Sequence, residues 1–146
     1  MLSAVVTEDF KDDKKAEYIE FVEHLGSNIS FFEDRWVCDK LRRAPFETTA
    51  DLTIHFGRIP KQFREMVKCF SAIRFIHRIS LTTVKMNITD LTRFFDFWLV
   101  KCKNAGLYML NESVAVGFYQ YLNEHGWSES TAFKGCITIF GVQVLW

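Results

Sequence analysis

The chain has 146 residues, of which 49% are hydrophobic and 25% are charged, and its formal net charge at neutral pH is zero. A chain of this size and apolar content buries a core in one domain or in two small ones, which argues against a disordered protein. Its longest apolar runs fall far short of the roughly 20 residues that a membrane-spanning helix needs. The first residues do not show the pattern of a signal peptide, in which a basic region and an apolar region precede a cleavage site of small residues. We therefore predict a cytoplasmic protein with no membrane partner.

The cysteines predict neither a metal site nor a disulfide scaffold. Cys38, Cys69, Cys102 and Cys136 lie more than thirty residues apart. Zinc sites and small disulfide-rich domains normally use closely spaced cysteine pairs. We expect these thiols to be reduced and mostly buried.

The zero net charge hides an uneven distribution along the chain. Residues 1–60 carry 8 basic and 12 acidic side chains, residues 61–105 carry 9 and 3, and residues 106–146 carry 1 and 3. A central basic block is compatible with a surface that binds phosphate groups. Solvated helix faces also collect lysine and arginine, so this alternative stays open.

The first half of the chain predicts two helices separated by an irregular region. Residues 14–25 place Tyr18, Val22 and their apolar neighbours on one helical face, and Gly26 is well placed to end that helix. Residues 27–51 show no regular period, and the alternation at Leu52, Ile54 and Phe56 suits a short extended segment. A second helix is predicted from about Pro60, whose missing N–H suits a first turn, to His77.

The second half contains the strongest helical periodicity. Ser80 is the predicted cap of a long helix, and Asn111 is the predicted cap of a helix that Gly126 ends. Ser128 opens a further helix, but the uncharged segment from Gly135 onward has no helical stripe. The predicted buried seam of the long helix consists of Val84, Ile88, Leu91, Phe95, Trp98 or Leu99, and Cys102.

The order of these elements resembles the core-binding domain of tyrosine recombinases, the phage-type integrases. The matching strings are SLTTVKMNITDLTRFFDFWLVK, LNESVAVGFYQYLNEHG and WSESTAFKG, with Trp127 in place of the family's common leucine. The preceding IHFGRIPKQFREMVKCFSAIRFI is similar, more weakly, to the lead-in helix of the transposon-borne branch. The resemblance implies an all-α fold. Residues 79–146 would form a small helical bundle of SAM-like type that is incomplete or aberrant after residue 135. Residues 1–78 would form an N-terminal helical region with an irregular 27–58 segment.

The resemblance also implies a function, namely binding of double-stranded DNA during site-specific recombination, in a bacterial or phage-type, nucleoid-associated setting. Helix N-termini present unpaired N–H groups and partial positive charge, so hydroxyl-rich starts hold phosphates well. Serine and threonine at these positions are also the ordinary capping residues, and without the family pattern capping alone would be the preferred explanation. The implied DNA contacts are Arg78, Ser80, Thr82, Thr83, Lys85, Ser128, Ser130, Thr131 and Lys134.

Catalytic chemistry is not expected in this chain. Tyrosine recombinases cleave DNA with a tyrosine nucleophile assisted by arginine, histidine and lysine in a second domain, which would follow residue 134. His55 and Arg58 match the family's HxxR spacing, but they precede the DNA-binding helices, so we interpret the match as chance. Phosphate loops, HExxH and nucleophile elbows are missing from the sequence. We predict no catalytic residue, no metal, no cofactor and no small-molecule substrate.

Two hypotheses follow from the sequence. The first is a truncated or frameshifted tyrosine recombinase that binds DNA or pairs with other recombinase protomers but lacks the catalytic domain. The second is an all-helical protein-interaction module without a nucleic-acid role, which docks through apolar surfaces and the uncharged C-terminal segment. Phe94, Phe95, Phe97 and Trp98 could serve single-strand stacking, but their place in the apolar sector predicts core packing.

Overall fold

A computed structural model of the protein describes residues 12–101 and 112–126. Within these ranges the chain is mostly helical, which confirms the coarse fold prediction. The helices are α1 (Asp12–Glu23), α2 (Lys61–Ile76), α3 (Leu81–Lys101) and α4 (Glu112–Glu124). Two short strands, β1 (Arg35–Val37) and β2 (Thr53–His55), and a 3-10 helix (Asp39–Leu41) lie between α1 and α2.

The small sheet corrects the prediction of an all-α fold with an irregular 27–58 segment. Strands β1 and β2 are antiparallel, and Trp36 lies opposite Ile54. Both side chains are almost fully buried, and the Trp36 ring also packs edge-on against Phe56 at 4.6 Å between centroids. The extended segment expected around residues 52–56 is confirmed as β2. Its partner β1 is too short to show a period in the sequence, and it forms because the pairing buries Trp36.

Gly26 does not end α1 in the manner predicted. The helix ends earlier, at Glu23, and Gly26 is buried against β1. A Cβ at this position would overlap the carbonyl oxygen of Val37, so glycine is required by close approach of two backbone segments. The neighbouring Ser27 N–H donates to the carboxylate of Asp39 at 2.7 Å, which fixes the same junction.

Helix α3 supplies the centre of the core. Its predicted seam is confirmed at Val84, Ile88, Leu91 and Phe95, and the alternative at the next position is resolved because Trp98 is fully buried whereas Leu99 is 46% exposed. Cys102 lies outside the described residues. Phe94, Phe95, Phe97 and Trp98 are all buried, which confirms that these aromatics pack the core. Phe63 of α2 stacks on Phe95 with 4.7 Å between ring centroids.

A charged network ties the β1 region to α2. Asp34, immediately before β1, accepts hydrogen bonds from Arg64 at 2.9 Å and from Lys68 at 3.0 Å. The Lys68 side chain is 6% exposed, and its ammonium group also lies 5.8 Å from the Phe56 ring centroid. The hydrogen bond from Lys68 lowers the pKa of Asp34 below its ordinary value, and the charge of Arg64 acts in the same direction. The network compensates for the burial of Lys68.

The helices pack in sequence, α1 on α2, α2 on α3 and α3 on α4. One cluster of buried side chains extends from Tyr18 in α1 to Leu122 in α4. This cluster crosses residue 78, where the sequence predicts a domain boundary. The division into 1–78 and 79–146 therefore stays a prediction, and in the described residues the two parts share one core.

Candidate nucleic-acid interface

The junction between α2 and α3 places an arginine where helices usually end in glycine. The N–H of Arg78 donates to the carbonyl of Phe75 at 2.9 Å, and the N–H of Ile79 donates to the carbonyl of Arg74 at 3.0 Å. These two bonds form a Schellman motif, whose left-handed position is normally glycine because a Cβ is strained there. Arg78 occupies that position with φ 62°, and its side chain is exposed.

Ser80 caps α3, as the sequence predicts. Its Oγ accepts a hydrogen bond from the N–H of Thr83 at 3.2 Å and donates to the Thr83 Oγ1 at 2.9 Å. This is ordinary N-capping, which satisfies one of the free N–H groups of the first turn. Thr82 is exposed, whereas Thr83 is half-buried and engaged with Ser80. The hydroxyls of Ser80 and Thr83 therefore have a structural role whether or not this end of α3 binds phosphate.

Lys85 joins α3 to the segment that leads into β2. Its ammonium group donates to the carbonyl oxygens of Ala50 at 3.2 Å and Asp51 at 3.1 Å. The side chain is half-buried, so it projects less freely than a solvated surface lysine. An ammonium group has three donors, so one remains for a ligand after these two bonds.

Several of the predicted DNA contacts meet in one cleft, which we call the Arg78 cleft. It has a volume of about 680 Å³ and lies between the 41–51 segment, α1 and the start of α3. Of the nine predicted contacts, four line it: Arg78, Ser80, Thr82 and Lys85. Thr83 does not line it, and Ser128, Ser130, Thr131 and Lys134 lie outside the described residues.

The Arg78 cleft also includes Arg43, which sequence reasoning did not single out. Arg43 lies in the irregular region and reaches the cleft because of the tertiary fold. The cleft has two carboxylates, Glu47 and Asp51, and both accept internal backbone bonds. Glu47 Oε1 accepts from the N–H groups of Arg43 and Ala44 at 3.3 and 3.2 Å, and Asp51 Oδ2 accepts from Thr48 N–H at 2.9 Å.

The backbone N–H of Thr48 lowers the pKa of Asp51 below its ordinary value, so that carboxylate is charged at neutral pH. Three cations, Arg43, Arg78 and Lys85, thus face two carboxylates that are already hydrogen-bonded to the backbone. This balance favours an anionic ligand over a cationic one.

A second cleft, the Arg58 cleft, lies between β2, α3 and α4 and has a volume of about 440 Å³. His55 and Arg58, the residues of the HxxR match, both line it, together with Arg93, Tyr121 and His125. Lys85 lines both clefts. The sequence could not indicate this grouping, because the residues come from three elements that are far apart along the chain.

The described cysteines have no reactive character. Cys38 and Cys69 are buried free thiols, and burial raises the pKa of each to about 12. Both are therefore protonated and poorly nucleophilic at neutral pH. The prediction of buried cysteines is confirmed at these two positions, and Cys102 and Cys136 lie outside the described residues.

Comparisons with known proteins give no assignment. Protein-family models, curated proteins and solved structures were compared with the chain, and no match was found. Within residues 12–101 and 112–126, histidine, cysteine, aspartate and glutamate form no cluster of three or more that could hold a metal ion. The helices in the same ranges are too short or too polar to span a bilayer.

Proposed function

We propose that this chain binds double-stranded DNA, and that it does so as the core-binding domain of a tyrosine recombinase would. The main observation in support is the Arg78 cleft, in which four residues proposed as DNA contacts from the sequence lie together with the additional cation Arg43. Phosphate groups of a duplex backbone would be the ligands, and such contacts set position rather than sequence preference.

Arg78 carries most of this proposal. A left-handed conformation at a residue other than glycine costs about 1 to 3 kcal/mol, and such strain is concentrated at functional sites. Arg78 forms no ion pair with another described residue, so its exposed guanidinium is available to a phosphate. Guanidinium groups bind phosphate in a bidentate manner, which makes arginine well suited to this position.

The other predicted contacts would contribute less. Ser80 and Thr83 are already engaged in capping, and Lys85 is already bonded to two carbonyls. The start of α3 still offers N–H groups and partial positive charge beside Arg78. We therefore assign the larger part of phosphate binding to Arg78 and Arg43, with the helix end and Lys85 in support.

A protein-interaction module is the second candidate function. Phe46, at the tip of the 44–47 turn, is 85% exposed, and Phe32 is 67% exposed. The turn that presents Phe46 is closed by the bond from Glu47 N–H to the Ala44 carbonyl at 3.1 Å. Exposed aromatic side chains on ordered turns are common in protein interfaces. This candidate predicts binding that salt affects little.

The two candidates are separated by anisotropy titrations of a labelled duplex of about 20 base pairs at about 50 mM and about 200 mM salt. DNA binding through several phosphate contacts predicts at least a roughly tenfold loss of affinity at the higher salt concentration. Absence of duplex binding at the lower concentration would contradict the proposal and favour the protein-interaction module.

A further inference from the structure

The Arg58 cleft combines an apolar floor with an excess of positive charge. Ile54, Ile88 and Leu122 line it, and all three are buried. A cavity of about 440 Å³ falls in the usual range for sites that bind small organic molecules. The apolar floor suits a ligand with an apolar or aromatic body, which a simple phosphate ion does not have.

The charged lining predicts an anionic group on that ligand. Three cations, Arg58, Lys85 and Arg93, line the cleft together with one carboxylate, Asp96. Arg93 is paired with Asp90 of the same helix at 3.5 Å, so Arg58 and Lys85 supply the excess of positive charge. Arg58 and Asp96 form an ion pair at 3.7 Å, but their side chains are 79% and 51% exposed. An ion pair this exposed contributes little to stability, so a ligand phosphate can displace it at small cost.

The side of the cleft formed by α4 carries an ordered aromatic pair. The rings of Tyr121 and His125 are 4.1 Å apart between centroids, and Tyr121 also contacts Phe97 at 5.4 Å. The Nδ1 atom of His125 lies 2.8 Å from the Tyr121 carbonyl oxygen, which holds the imidazole in place although the residue is exposed. A held ring at the edge of a cleft is a surface on which a planar base can stack.

We propose that the Arg58 cleft binds a nucleotide, with the base near Tyr121 and His125 and the phosphate near Arg58. The proposal does not depend on duplex binding at the Arg78 cleft, and it departs from the expectation that the protein has no small-molecule ligand. The same chemistry is presented by a free mononucleotide and by an unpaired nucleotide at the end of a DNA strand. Arginine supplies bidentate phosphate contacts and aromatic rings supply stacking, so both halves of the ligand are recognised.

Isothermal titration calorimetry of the full chain tests the two halves separately. The probes are adenosine 5′-monophosphate, adenosine without the phosphate, and ribose 5-phosphate without the base. We expect the complete nucleotide to bind at least about tenfold more tightly than either part, because each part loses one set of contacts. Equal affinity for the nucleotide and ribose 5-phosphate, or no binding of any probe, would overturn the proposal.

Two variants locate the site. Arg58→Gln removes an exposed cation, and we expect it to weaken adenosine 5′-monophosphate binding by about tenfold. His125→Ala removes one of the two stacking rings. It should lower the affinity for adenosine 5′-monophosphate without changing the affinity for ribose 5-phosphate. The matched control is Lys61→Gln, which removes the same charge from a position away from both clefts and should leave nucleotide affinity unchanged. Unchanged affinity in Arg58→Gln, or an equal loss in Lys61→Gln, would overturn the assignment.

Competition with DNA identifies the source of the nucleotide. Displacement of the mononucleotide by a duplex with a single-stranded overhang, but not by a blunt duplex, would support an unpaired strand end. Failure of both duplexes to displace it would support a free nucleotide. Equal displacement by the blunt duplex would overturn the proposal, because a blunt duplex offers phosphates without an accessible base. The proposed DNA function would still stand if the nucleotide proposal failed in this way. The evidence for it would be duplex binding that is lost in Arg78→Gln and retained in Arg58→Gln.

Discussion

The ammonium group of Lys85 lies 3.2 Å from the carbonyl oxygen of Ala50 and thereby joins α3 to the segment that precedes β2. A second bond at 3.1 Å to the Asp51 carbonyl strengthens this link. Because Lys85 also lines both clefts, a change at this residue affects stability and binding together. Arg78, which is exposed and takes no part in this link, separates the two effects.

Lys85→Met should lower the free energy of unfolding by about 1 to 2 kcal/mol, because two hydrogen bonds from a charged donor are lost from a half-buried site. Urea denaturation followed by circular dichroism measures the change. The control is Lys61→Met, an exposed lysine at the start of α2 that lines neither cleft, and its effect should stay within about 0.5 kcal/mol. Equal effects of the two substitutions would show that the bonds to Ala50 and Asp51 contribute nothing.

Arg78→Gly should stabilise the fold and weaken DNA binding at the same time. Glycine relieves the left-handed strain at φ 62°, and after the extra entropy of unfolded glycine we expect a gain of about 0.5 to 1 kcal/mol. Thermal denaturation and duplex anisotropy measure the two effects on the same preparation. A variant that is both less stable and unchanged in DNA affinity would contradict the role given to Arg78.

The sequence predicts the helices well because each one has a local apolar period. The seam of α3, the cap at Ser80 and the stop at Gly126, which has φ 82°, could all be predicted from neighbours within a turn or two. Strand β1 and the role of Gly26 could not, because each depends on a contact between segments about ten or more residues apart. Gly26 looked like a helix stop in the sequence, and the structure shows a close approach to Val37 instead.

Gly26→Ala should lower the free energy of unfolding by about 2 to 4 kcal/mol, because the new Cβ would overlap a backbone carbonyl that cannot move without disturbing the sheet. The matched control is Gly57→Ala, where a Cβ has open space and φ lies outside the left-handed region. That substitution should be neutral or stabilising by a few tenths of a kcal/mol. Urea denaturation of both variants tests the contrast, and a tolerated alanine at position 26 would refute the close approach.

The candidate site was only partly predictable for the same reason. Arg78, Ser80, Thr82 and Lys85 are close in sequence at one helix start, so pattern and resemblance bring them together. Arg43 and the Arg58 cleft depend on the packing of separate elements, and no local pattern indicates them. His55 and Arg58 could be noticed as a motif, but their neighbours Tyr121 and His125 could not.

Asp34→Asn should remove part of the acid sensitivity of the fold. The pKa of Asp34 is below its ordinary value in the folded state, mainly because of the bond from Lys68. The stabilisation is therefore present above the ordinary aspartate pKa and is lost as the pH falls through the lower folded value. Urea denaturation from neutral pH down to about pH 3 should show a flatter acid limb in the variant.

The variant should also be less stable at neutral pH, by about 1 to 3 kcal/mol, since it leaves the buried Lys68 with a weaker partner. Lys68→Met in the Asp34→Asn background serves as the control, because it removes the buried charge and should recover part of the loss. An unchanged acid limb in Asp34→Asn would exclude the proposed pairing as a source of the pH dependence.

The slope of DNA affinity against salt concentration tests the central claim most directly, in the parent chain and in Arg78→Gln and Lys61→Gln. If Arg78 contacts a phosphate, its removal should reduce the magnitude of the slope of log affinity against log salt by about 1 and weaken unrelated duplexes equally. Lys61→Gln, which removes the same charge away from both clefts, should leave the slope unchanged. Identical slopes in the parent chain and in Arg78→Gln would contradict the assignment of this cleft as the DNA-binding surface.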